Sequence, residues 1–186
     1  DIILRGPNAT PMETPPRLVR AARLTNSQDV ARECGLDAQR IVRGAGLSAS
    51  ALSNPDLMIP ADRVALVLLR SAELSGFEAF GLHMAESRHL SNLGPVGMVV
   101  RDQPTLRESL AVLVRYHAAL NGSLALMVEE SDDVVVVREE VLAGIGVDVR
   151  QPTELAIGVL LRLMRVVLGA DWRPRRVCFS HAAPRD

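Results

Sequence analysis

Residues 152–184 read PTELAIGVLLRLMRVVLGADWRPRRVCFSHAAP. Pro152 suits a first helical turn, where its missing N–H is not needed. Leu155 to Leu161 is seven residues with no charge and no side-chain hydrogen-bonding group. From Leu155 to Ala170 the only ionised side chains are Arg162 and Arg165. With Gly158 and Gly169 they fall on one narrow stripe at helical spacing, and the rest of the circumference is apolar. A helix apolar nearly all round is a buried helix. Gly169 ends it and Pro174 prevents a restart. Residues 176–181 then alternate as a strand does, with Val177, Phe179 and His181 on one face. Buried helix, short turn and strand together predict a unit at the middle of a core.

The surroundings must supply that core. The chain has 186 residues, nearly half of them apolar, enough for one domain of sizeable interior. Net charge is −1, so no bulk field draws it to nucleic acid or an anionic membrane. Every basic residue is Arg; with no Lys, Schiff-base chemistry and a Walker-type lysine are excluded. Two cysteines, Cys34 and Cys178, make no disulfide framework and imply a reducing cytoplasm. The longest uncharged run, 116–128, is too short to span a bilayer. The chain opens on Asp1 instead of Met, which points to a missing or replaced natural N-terminus.

Residues 1–16 carry four prolines and no periodicity and read as a mobile leader before a domain at 17–186. Leu18 to Leu24 reads as a short strand. Short helices are expected from Asn26 or Ser27 to Cys34 and from Ala38 to Ala45, the second capped by Asp37. Others follow from Pro60 to Leu74, Phe77 to Arg88 and Gly94 to Val100. Thr105-x-x-Glu108 is a capping box that launches a helix to Leu120. Ser123–Glu130 and Val134–Glu140, parted by Ser131-Asp132-Asp133, read as a β-hairpin. The expected class is α+β: a helical front half, then a β-hairpin, a long buried helix and a further strand in one small sheet.

Catalytic patterns fail on geometry. Gly46-Leu47-Ser48-Ala49-Ser50 lacks the second glycine of a nucleophile elbow and lies between helices. Cys178 and His181, three apart on a strand, point to opposite faces and cannot share a metal ion. Glu129-Glu130 and Glu139-Glu140 flank a hairpin, where such charges usually sit in water. Gly44-x-Gly46 and Gly144-x-Gly146 are too short for a dinucleotide loop. No catalytic residue, metal ligand or cofactor is expected, and the chain does not read as an enzyme. Residues 29–42 outline a helix-turn-helix, but Arg32, Arg40 and Arg43 are balanced by Asp29, Glu33 and Asp37 across 29–43. Two guanidiniums on an apolar helix, Arg162 and Arg165, have two readings. One is a solvated stripe. The other is a fork holding a carboxylate or phosphate inside a cavity, with Tyr116 and Trp172 on its wall. His117, on the apolar side of its helix, reads as a hydrogen-bonded core histidine or as a ligand contact.

Several ordered segments carry a resemblance. Val19-Arg20-Ala21-Ala22 to Leu24-Thr25, Gly35-Leu36-Asp37, Gly44-Ala45-Gly46-Leu47 and Asn54-Pro55-Asp56 before Ile59-Pro60 form its first part. Phe80-Gly81-Leu82, Leu93-Gly94-Pro95-Val96-Gly97, Pro104-Thr105-Leu106 and GADWRPRRVCFSHAAP from Gly169 complete it. Over residues 18–186 the series resembles the N-terminal effector-sensing (arabinose-binding-like) domain of AraC-type transcriptional regulators. The resemblance implies a cytoplasmic bacterial regulator whose ligand-sensing and dimerisation domain binds a small metabolite or fatty acid. It implies a homodimer, no membrane, and DNA contact only through a separate C-terminal helix-turn-helix domain absent from these residues. Two alternatives stand beside it: a DNA-contacting module at 29–42, and a ligand-free structural dimerisation domain with a closed interior.

Overall fold

A computed structural model of the chain describes residues 16–88, 94–144 and 146–183. Residues 1–15 of the expected leader lie outside that range, as do 89–93. The first strand, β1 (Leu18–Arg20), leads into a single 3-10 turn, Ala21–Leu24. Two short helices follow, α1 (Ser27–Glu33) and α2 (Ala38–Gly44). The Asp37 carboxylate accepts from Arg40 N at 3.1 Å and so caps α2. Strand β2 (Met58–Pro60) pairs antiparallel with β1, Val19 opposite Ile59. Helices α3 (Ala61–Ser75), α4 (Phe80–Glu86), α5 (Pro95–Arg101) and α6 (Leu106–Leu120) complete the helical front. Thr105 Oγ1 accepts from Glu108 N at 3.3 Å, the first half of the capping box. The hairpin is β3 (Leu124–Ser131) with β4 (Val134–Val141), Leu126 opposite Glu139. The last helix, α7 (Arg150–Leu168), starts two residues before Pro152 and stops at Gly169, whose φ is 102°.

The class is α+β, as the periodicities predict, but the strands differ. The one expected at 18–24 stops at Arg20 and turns into the 3-10 helix, and Met58–Pro60, not expected as a strand, is its partner. The described residues hold two separate two-stranded antiparallel sheets, not one small sheet. Residues 176–181 form no strand. Alternation prepares a segment for a ladder but cannot supply the partner edge. Here 176–181 lies along the edge of neither sheet.

Two apolar clusters make up the interior. The first gathers Val19, Leu24, Val30, Val42, Leu68, Phe80 and Met84, with Leu155 from α7. The second gathers Val100, Leu110 and Leu113 with Leu163 and Met164 of α7, and Leu126, Val128, Val137 and Trp172 pack on it. Full burial of one such side chain contributes about 1.5–3 kcal/mol. Helix α7 therefore joins both clusters, touching α3, α4, α6 and β4. Its burial is not uniform: Leu155, Ala156, Leu163 and Met164 are buried, whereas Val166 and Leu168 emerge at the C-terminal end. Gly158 does not belong to a polar stripe. It is buried where α7 crosses α4, and a Cβ there would overlap the Ala85 methyl.

The first turn of α7 is fastened by polar groups. Gln151 accepts from Gly81 N at 2.7 Å and donates to the Glu78 carbonyl at 2.6 Å. Glu154 is fully buried and takes Arg150 Nε at 3.1 Å. These bonds hold the helix in register while its next turns face the seam between the two clusters.

Candidate functional site

A cavity of about 150 Å³ lies along that seam. Helix α7 supplies one wall with Leu155, Ala156, Val159, Leu160 and Leu163. Leu113 and His117 come from α6, and Leu124, Leu126 and Glu139 from the hairpin. Arg20, Ala22 and Arg23 come from β1 and the 3-10 turn, and Arg88 and Asn121 from helix ends. Regular periodicity places the α7 residues: 155, 156, 159, 160 and 163 share one helical face. Residues 124 and 126 share one strand face, and the pairing register sets Glu139 opposite Leu126. The site is therefore apolar along α7, and its charged and polar residues come from the other elements.

Those charged and polar residues are incompletely bonded. Arg88, 5% exposed, donates Nη1 to the Ala22 carbonyl at 2.7 Å and Nη2 to the Arg23 carbonyl. Its Nε is buried without a partner. Burial, with Arg23 nearby, pulls the Arg88 guanidinium down to about 10, so it stays charged at neutral pH. Burial also lowers Arg23, while Glu139 opposes that shift. The Arg23 guanidinium makes no hydrogen bond or ion pair among the described residues. Glu139 is pushed up to about 7 by desolvation, against the pull of Arg23, and its Oε2 is sealed without a partner. Asn121 is buried; its Oδ1 accepts from Ser123 N at 3.1 Å and Ser123 Oγ at 2.9 Å, but its Nδ2 has no partner. His117 Nδ1 donates to the Val114 carbonyl at 2.6 Å.

Of the five residues expected at a ligand site, His117 lines this cavity and the other four do not. Arg162 Nε donates to the Arg88 carbonyl at 2.7 Å. Arg165 Nε reaches the Trp172 carbonyl at 3.4 Å. Trp172 packs on the second apolar cluster. Tyr116 is 40% exposed, with the Arg115 guanidinium 5.6 Å from its ring centroid. The arginine stripe and the cavity are thus on different faces of α7. The arginines that do line it, Arg20, Arg23 and Arg88, come from β1, the 3-10 turn and the segment after α4, and of these Arg20 is paired with Asp56.

Glu139 carried a signal that local reasoning discounted. In β4 it follows Val137 and precedes Val141 at strand spacing, so it shares their inward face while Glu140 points to solvent. Arg23 and Arg88 gave no such sign. Among the described residues no three His, Cys, Asp or Glu gather to hold a metal ion. Nor is any described helix long and apolar enough to cross a membrane. The α1–α2 hairpin buries Val30, Ile41 and Val42, and its Arg32 is paired with Asp29 at 2.9 Å.

Residues 35–186 match the family described as the arabinose-binding domain of AraC transcription regulators, N-terminal. The chain belongs to this family. Relatives of the AraC-type domain include the HTH-type transcriptional regulator VirS of Mycobacterium tuberculosis, in strains CDC 1551 / Oshkosh and ATCC 25618 / H37Rv. Each is 27% identical over 173 residues, covering 89% of this chain and 49% of the relative. The chain spans about half the length of these regulators. The AraC-type domain is thus a regulatory domain of a transcription-factor family, and that family is not one of enzymes.

Proposed function

We propose that this chain is the effector-sensing part of a bacterial AraC-type transcription factor, working in the cytoplasm and controlling a separate DNA-binding part. A small metabolite occupies the seam cavity and biases the arrangement of the two clusters that α7 joins. The mechanism is a population shift: an effector that binds one arrangement better draws the ensemble toward it. That shift passes to a homodimer interface or to the DNA reader; Met127, Val134, Val135 and Val136, exposed on the hairpin, offer apolar surface for self-association. The observation that carries this reading is the cavity itself, apolar along α7 and lined elsewhere by residues with unbonded polar atoms.

Its size favours a small metabolite over a long-chain fatty acid. Pockets for drug-sized ligands run from about 300 to 1,000 Å³, and this one is about 150 Å³. It also argues against a closed, ligand-free dimerisation domain. The test uses the intact regulator with Leu160→Trp, which fills the cavity from α7. Effector control of the promoter is expected to disappear while the fold survives, as judged by circular dichroism. Promoter control by the variant identical to that of the parent would sink the proposal.

A further inference from the structure

Buried polar groups are almost always hydrogen-bonded. Among the described residues six buried side-chain atoms lack a partner, and three of them, Arg88 Nε, Asn121 Nδ2 and Glu139 Oε2, belong to residues lining the one seam cavity. Two are donors and one is a carboxylate oxygen. Arg88 and Asn121 are each more than nine-tenths buried. Beside them the Arg23 guanidinium feels Glu139 electrostatically without forming an ion pair with it. A cation and an anion among the residues that line one cavity, not paired with each other, suit a guest that carries both signs.

We propose that the cavity takes a zwitterionic α-amino acid with an apolar side chain, its carboxylate on Arg23, Arg88 and Asn121 and its ammonium on Glu139. The assignment rests on the sensor reading above and adds the ligand class to it. Each alternative leaves a cost. A simple carboxylate satisfies the donors but sets a second negative charge against Glu139 unless that side chain takes up a proton. A simple amine satisfies Glu139 but leaves Arg23 and Arg88 without an anion. A sugar needs hydrogen bonds all round, and Leu113, Leu126, Leu155, Val159, Leu160 and Leu163 offer none. A cavity of about 150 Å³ lined by such residues holds a benzene-sized group, which suits a branched aliphatic or phenyl side chain. Arg–carboxylate bonds in a desolvated site are the strong, charge-assisted kind.

Three probes share one hydrocarbon tail: L-leucine, 4-methylpentanoate without the amine, and 3-methylbutylamine without the carboxylate. Titration calorimetry on the intact regulator, repeated with L-phenylalanine for the larger side chain, reads the comparison. At least one of the two amino acids is expected to bind, with both truncated probes at least tenfold weaker than leucine if leucine is the binder. Glu139→Gln is expected to weaken the amino acid at least tenfold while leaving 4-methylpentanoate unchanged or tighter. Arg23→Gln, at a side chain with no structural bond to lose, is expected to weaken both. An analogue binding as well as the amino acid overturns the zwitterion assignment and leaves the sensor reading standing. No binding by either amino acid also overturns the assignment. The sensor reading itself is then judged by Leu160→Trp: it falls only if that variant keeps normal promoter control.

Discussion

Arg162 Nε donates to the backbone carbonyl of Arg88 at 2.7 Å. The helix cation that looks from the sequence like a ligand fork therefore holds another arginine in place. Arg88 in turn grips the Ala22 and Arg23 carbonyls. A continuous chain of hydrogen bonds runs from α7 through residue 88 to the 3-10 turn that carries Arg23. Arg162→Ala should cost about 1.5–3 kcal/mol in urea unfolding, the worth of one bond from a charged donor. It should also blunt effector response by loosening Arg88, less severely than removing Arg23 does. An unchanged response together with unchanged stability would show that this bond positions nothing.

Arg88→Ala strips two backbone carbonyls of their partner and removes a buried fork. A loss of about 3 kcal/mol or more is expected, visible as a large fall in Tm. Lysine should not restore it, because a single ammonium cannot span the Ala22 and Arg23 carbonyls as a planar guanidinium does. Recovery of the parent Tm by Arg88→Lys would contradict the two-carbonyl role.

Glu139 makes stability depend on pH. Its value is raised from 4.5 to about 7, so the folded protein holds this proton more tightly than the unfolded chain. The stability from that proton is complete below about pH 4.5 and is lost as pH rises toward 7. Above 7 the contribution is flat. Allowing for the partial exposure of the side chain, the loss is about 2 kcal/mol. Glu139→Gln should flatten the profile between pH 5 and 8 and stabilise the free domain at pH 8. Parallel profiles for parent and variant would refute the assignment of this slope to Glu139.

Gly158→Ala tests the crossing of α7 over α4. In an open helix the change would stabilise by about 1 kcal/mol. Here the new methyl meets Ala85, and overpacking of this kind costs about 1–3 kcal/mol. Net destabilisation in chemical unfolding is expected, partly relieved by Ala85→Gly in the double variant. A more stable single variant would mean that the two helices part easily.

Much of the chain was legible locally. Asp37 and Thr105 cap their helices at the expected places, because a cap is a bond between residues three apart. The hairpin follows from its alternation and the Ser131-Asp132-Asp133 break, and α7 from an uncharged run that ends at a glycine. Those signals depend on neighbours in the chain, so sequence alone determined most of the helices, the hairpin, the α+β class and, through its ordered segments, the kinship. The site was another matter. His117 was read from its helix face, whereas Arg23, Arg88 and Glu139 meet only after α7 has brought two clusters together. Arg88 bonds the Arg23 carbonyl across 65 positions, and Arg162 bonds Arg88 across 74. Likewise the strand expected at 176–181 needed an edge that no local pattern can provide. Which charges face the cavity, and which face of α7 walls it, were decided by long-range packing, because side chains far apart in sequence share a site only through the folded backbone.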